Sequence, residues 1–336
     1  MTVLNRRTFA LGLGALTVAA PGIVRAQDRY AAAAAYSAAS QGISMLVLEA
    51  GREVFRDHPR GPERPFETAS GTKSFSGVLA AALVQDGLLR LDERCADTLT
   101  EWRGQPVKQD ATIRSLLDLS SGIGGGPIGR PPTYAEAVAA PPVGPAGTFR
   151  YGPRPFQVFG EIVRRKLEAA GRPADVLALM KTRLLDPAGV QVGAWQLRDG
   201  QPTLPSGAAF TATEWARFGR LVAEGGRVDG RPIVDPAALA ACFAPSPANP
   251  GYGLTWWLLR AGLIPPGPRA GLGQDDLARL RGLDVRMAAG AGNQRLYLIP
   301  DRDLVVVRQA DGILPALRGR GAPWSDVEFL VRLLGL

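Results

Sequence analysis

The 336-residue chain has one histidine, two cysteines and four lysines, set against 35 arginines. Each scarcity excludes something. A Ser-His-Asp hydrolase needs an imidazole base, and His58 is the single candidate. It lies in a loop rich in proline and arginine and reads as a surface residue. Catalytic zinc usually takes two or three His, Cys or carboxylate ligands at tight spacing, so no metal is expected. Cys95 and Cys242 are too few and too far apart for a disulfide framework. No serine sits in Gly-x-Ser-x-Gly, which removes a nucleophile elbow. Gly71-Thr72-Lys73-Ser74 lacks both glycines that a phosphate loop requires. There is no run of five basic residues, so the net charge of +8 comes from scattered arginines and does not mark nucleic-acid binding. With 46% hydrophobic and 21% charged residues, the composition is that of a globular protein able to bury a core.

The first 26 residues read as an address. Asn5-Arg6-Arg7-Thr8-Phe9 is followed by an apolar stretch to Val24, and Val24-Arg25-Ala26 suits signal peptidase, with cleavage after Ala26. Gly12, Gly14, Pro21 and Gly22 break the stretch, which is too short for a stable membrane span. The segment resembles a twin-arginine export signal, which implies a periplasmic protein. In that oxidising compartment Cys95 and Cys242 could pair, and the sequence does not decide whether they meet.

The remainder, 27–336, reads as one α/β domain with an inserted helical lobe. A helix spans about 30–41 and ends at Gly42. Ile43–Leu48 and Val54–Phe55 flank Ala50-Gly51-Arg52 as a β-hairpin. A helix from about Ser70 to Gln85 carries Phe75, Val78, Leu79, Ala82 and Leu83 on one face. Helices follow at Ile113–Leu119, 156–170 and Thr213–Glu224, separated by Pro/Gly loops. Gly253–Leu259, Arg286–Ala289, Arg295–Ile299 and Leu304–Arg308 are strand-like, and Asp326–Leu334 is a closing helix. Strands at both ends with helices between them predict an antiparallel sheet, from about 27–95 and 226–336, flanked by terminal helices. The helical lobe covers about 96–225.

Ser70-Gly71-Thr72-Lys73 stands at a helix start. Residues three apart share a helix face, so the Lys73 amine can approach the Ser70 hydroxyl. A neutral lysine amine there can take the serine proton. The plain alternative is an N-cap serine beside a surface lysine. The stretch Thr68–Phe75 followed by Gln85-Asp86-Gly87-Leu88-Leu89 resembles the serine β-lactamase and penicillin-binding-protein superfamily, in its class C-like branch of esterases and 6-aminohexanoate-dimer hydrolases. Thr112–Ile123, Gly147–Pro153, Pro205–Ala212, Tyr252–Trp256 and Ala289–Gln294 agree with that family in order.

The resemblance implies Ser70 as nucleophile, Lys73 as its partner and Tyr151 as second general base or proton shuttle. It implies an oxyanion hole from the backbone N–H groups of Ser70 and Ala291. A substrate pocket follows at Ala289, Gly290, Trp256 and Pro153, with one of Trp256 and Trp257 in the pocket and the other in the core. No cofactor is implied. Two departures bear on substrate. The family's asparagine is Pro153, and its third-motif cation is replaced in Ala288-Ala289-Gly290. Loss of that cation points to an ester or uncharged amide, unless Arg150, Arg154 or Arg286 supplies a charge. A β-lactamase, a D-amino-acid-specific peptidase and a non-catalytic peptidoglycan- or peptide-binding module are the alternatives. Oligomeric state is not legible.

Overall fold

The computed structural model describes residues 26–260, 272 and 274–336. The export segment therefore lies outside the described residues, apart from Ala26. Helix α1 (Ala26–Ala39) begins four residues before the expected start, because the Ala-rich run carries no breaker back to Ala26. Among the described residues no helix is long and apolar enough to cross a membrane.

Six strands form the main sheet. They are β1 (Gly42–Glu49), β2 (Arg52–Asp57), β3 (Trp257–Leu258), β4 (Arg286–Gly290), β5 (Gln294–Ile299) and β6 (Leu304–Ala310). The order across the sheet is β3-β4-β5-β6-β1-β2, antiparallel throughout. Pairing of β1 with β6, with Val47 opposite Val306, joins the amino-terminal hairpin to the carboxy-terminal strands. Every residue of β5 and β6 is buried, so the sheet is covered on both faces there, and the polar Gln294, Arg295, Arg308 and Gln309 are buried with the apolar residues. Helices α1 and α5 (Asp326–Leu334) pack together, with Tyr30, Phe329, Leu330 and Leu333 buried. Helix α4 (Ala212–Ala223) packs on β5 and β6, where a methyl at Gly219 would meet Leu296 at 2.6 Å.

Helix α2 (Lys73–Gln85) is buried from Lys73 to Leu83. Its Phe75 ring stacks on Phe218, centroids 3.8 Å apart, and on Phe210 at 5.1 Å. A fully buried phenylalanine of this kind contributes about 1.5–3 kcal/mol relative to exposure. Helix α3 (Arg154–Ala169) belongs to the helical lobe, with Phe156, Phe159, Ile162 and Val163 buried as the sequence periodicity predicts.

The structure refines the expected elements. Ala208–Phe210 and Ala194–Trp195, within the mostly helical lobe, form a small antiparallel sheet with Phe66–Glu67. Runs of two or three residues are too short to show a period. The strand expected at Gly253–Leu259 shrinks to β3, because Gly253 to Trp256 is a turn with Thr255 at a φ of 68°. Cys95 and Cys242 are free thiols, each buried separately, and burial raises the pKa of both. His58 is half-buried rather than on the surface, and neither ring nitrogen has a hydrogen-bond partner.

Candidate active site

Ser70 lies in a 3₁₀ turn, Ala69–Thr72, that runs into α2. The turn is fixed from both sides. Thr68 N–H donates to the Ala208 carbonyl at 2.9 Å, and the Thr72 hydroxyl donates to the Ala69 carbonyl at 2.7 Å. Ala69 has a φ of 46°, a left-handed conformation that costs a non-glycine residue about 1–2 kcal/mol. Such strain persists only where surrounding contacts over-determine it, and here it precedes the candidate nucleophile. Ser70 is not an N-cap: Thr72 holds that position for α2, with no side-chain cap.

Lys73 Nζ lies 2.8 Å from Ser70 Oγ and donates to the Pro205 carbonyl at 2.8 Å. It sits over the Tyr151 ring at 4.9 Å and the Phe156 ring at 5.5 Å. Lys73 is only 4% exposed. Among the described residues no carboxylate forms an ion pair with it. Burial without a counter-charge favours the neutral amine, and the pKa falls to about 7. A neutral amine at this distance can accept the Ser70 proton.

Tyr151 completes the cluster. It borders the same cavity as Ser70, and its ring packs on Trp257 at 5.6 Å. Burial pushes the phenol up to about 12, against smaller lowering effects from Ser70 and Arg295. At neutral pH it therefore holds its proton. Of the two expected roles, the proton shuttle fits this phenol and a standing base does not.

Strand β4 brings in the third part. A methyl at Gly290 would lie 2.1 Å from the Thr68 carbonyl oxygen and 3.1 Å from Ser70 N. Only glycine allows that approach, and it sets the Gly290–Ala291 peptide beside Ser70. Ser70, Tyr151, Ala289, Gly290 and Ala291 all border one cavity of about 750 Å³. Leu317 and Pro323, from the segment before α5, border it from the opposite side.

Two expected pocket residues are elsewhere. Trp256 is fully buried against Phe243 and Phe218, and of the two neighbours it is Trp257 that borders the cavity, as Trp324 also does. The turn through Thr255 leads directly into β3. Pro153 does not border the cavity; it precedes α3 and faces Gly126. Ala288, where the family has its cation, is completely buried. None of Arg150, Arg154 and Arg286 borders the cavity, and Arg286 pairs with Asp284 at 2.7 Å.

Sequence reasoning missed Arg295, which among the described residues is the one charged side chain at the cavity. It is 1% exposed, and Asp326 accepts from its Nε at 2.8 Å. The signal was present: Arg295 pairs with Ala289 across β4 and β5, so a pocket-facing Ala289 puts Arg295 on the same face.

A family model described as Beta-lactamase matches residues 27–312. No curated protein sequence matches the chain. Among solved structures, a candidate beta-lactamase from Bacteroides dorei DSM 17855 is 16% identical. The match covers 92% of this chain and 98% of that one, with a TM-score of 0.71. EstCE1, a hydrolase with promiscuous acyltransferase activity, is 14% identical over 92% and 97%, with a TM-score of 0.65. A class C beta-lactamase from Rhodobacter sphaeroides is 16% identical over 93% and 99%, with a TM-score of 0.62. At these identities the likeness is one of fold.

Proposed function

The chain belongs to the beta-lactamase family, and from that premise we propose that it is an exported serine hydrolase. It cleaves a neutral ester or amide through an acyl-enzyme on Ser70. One observation carries the reading: Lys73 is buried with no counter-charge, 2.8 Å from Ser70 Oγ, with a pKa near 7.

In this reading Oγ attacks the substrate carbonyl while the neutral Lys73 amine takes its proton. The N–H groups of Ser70 and Ala291 receive the developing oxyanion. Tyr151 gives its proton to the leaving oxygen or nitrogen and regains one from Lys73. Water then attacks the acyl-enzyme by the same proton path reversed, which releases the acid and restores Ser70. The cavity supports a neutral, largely apolar acyl group. The Arg295 charge at its border is already paired with Asp326, while Trp257, Leu317 and Pro323 offer apolar contact. Export rests on the twin-arginine pattern, with cleavage after Ala26 and a periplasmic location.

A short chromogenic ester tests the reading. The expected result is an initial burst and an acyl adduct on Ser70 by mass, both absent in Ser70→Ala. No burst and no adduct would favour a peptide- or peptidoglycan-binding module. Preferential hydrolysis of a chromogenic cephalosporin would favour a β-lactamase.

A further inference from the structure

Arg295 Nη1 donates to the Gly290 carbonyl at 3.2 Å and to the Gln294 carbonyl at 3.0 Å. Its Nε and Nη2 reach the two Asp326 oxygens at 2.8 and 3.3 Å. Asp326 is held in turn by the Tyr297 hydroxyl at 2.6 Å and Trp324 Nε1 at 3.0 Å. The guanidinium is therefore fixed to α5 on one side and to the end of β4 on the other.

The Gly290 carbonyl and the Ala291 N–H belong to one planar peptide, and in a trans peptide the two point in opposite directions. A donor that pins the carbonyl therefore pins the N–H. We propose that Arg295 is a positioning residue for the oxyanion hole: it binds the Gly290 carbonyl and so aims the Ala291 N–H at the oxygen of the substrate carbonyl that Ser70 attacks. Asp326, Tyr297 and Trp324 hold the guanidinium in place. A positive charge on the carbonyl oxygen also polarises the peptide and strengthens its N–H as a donor. This peptide lies between Gly292 and the close Gly290 contact with Thr68, where a free carbonyl could rotate. The inference rests on the serine-hydrolase reading above.

The test uses the full chain, a p-nitrophenyl ester and a boronic acid that forms a tetrahedral adduct with the active serine. Arg295→Lys keeps the charge and loses the fork. It is expected to lower kcat about 10²-fold while KM stays within about threefold. Boronate affinity should fall by the same factor as kcat. The carbonyl stretch of the acyl-enzyme, followed by difference infrared spectroscopy, should move to higher wavenumber as the hole loosens. Asp326→Asn should move all three readouts the same way by less, and it decides the matter if Arg295→Lys does not fold. A role in stability alone would lower Tm and leave kcat, boronate affinity and carbonyl frequency unchanged, and that result overturns the proposal. Failure of the parent reading is separate: the unsubstituted protein would then form no adduct on Ser70.

Discussion

Two buried cations stand on either side of the Ser70 turn, and their surroundings give them opposite chemistry. Lys73 has a hydroxyl, a carbonyl and two aromatic faces, but no carboxylate. Its charged form is costly, so it loses its proton near neutral pH. Arg295 is buried as deeply. Desolvation would lower its pKa, but Asp326 and Tyr297 together more than offset that and the pKa is raised. One cation becomes a base because it is unpaired. The other keeps its charge, and its hydrogen bonds can hold backbone geometry. A carboxylate at one site and none at the other separates proton transfer from positioning.

Substitution by methionine sharpens this contrast most. Lys73→Met is expected to lower kcat/KM by about 10³–10⁴-fold. The same change removes a buried amine without a counter-charge, so Tm should rise, by an amount worth about 1–3 kcal/mol. Arg295→Met should do the reverse to stability. It strands the Asp326 carboxylate in the core and is expected to cost about 3–5 kcal/mol in denaturant unfolding. If both variants destabilise alike, the two cations do not differ as described.

Tyr151→Phe is expected to reduce kcat about 10²-fold, with a greater loss on amides, whose nitrogen needs the proton more than a nitrophenolate does. A smaller effect appears on titration. kcat/KM should rise through a pKa near 7 as Lys73 loses its proton, falling about tenfold per pH unit below it. The sign for stability follows from the same shift. Between pH about 7 and 10.5 the unfolded lysine binds a proton and the folded one does not, so stability rises with pH across that window. Lys73→Met should abolish this dependence. Smallest is Trp257→Ala, expected to weaken kcat/KM for apolar esters by about 1–3 kcal/mol while leaving small acetyl esters nearly unchanged.

What the sequence disclosed depended on how local the determining contacts are. Ser70 and Lys73 lie three apart where a 3₁₀ turn runs into α2, so their meeting follows from helical geometry, and the structure brings them to 2.8 Å. The strands were legible because β1 and β6 carry the apolar runs Met45–Leu48 and Leu304–Val307 and β5 ends in Leu296–Ile299. Arg295 looked like one arginine among 35, and its partner stands 31 residues away on another element. Strand alternation puts one of Trp256 and Trp257 at the pocket without saying which, and the structure buries Trp256 and leaves Trp257 at the cavity. The small sheet beside α2 joins two- and three-residue segments whose pairing is wholly tertiary.

The central claim is that an unpaired, neutral Lys73 activates Ser70. It is tested most directly by the rate of acyl-enzyme formation in a single turnover, followed by rapid quench and peptide mass mapping between pH 5 and 9. The account predicts an adduct on Ser70 whose rate of formation climbs through a pKa near 7 and collapses in Lys73→Met. An adduct on another residue, or a Ser70 acylation rate flat across that range and retained in Lys73→Met, would contradict it.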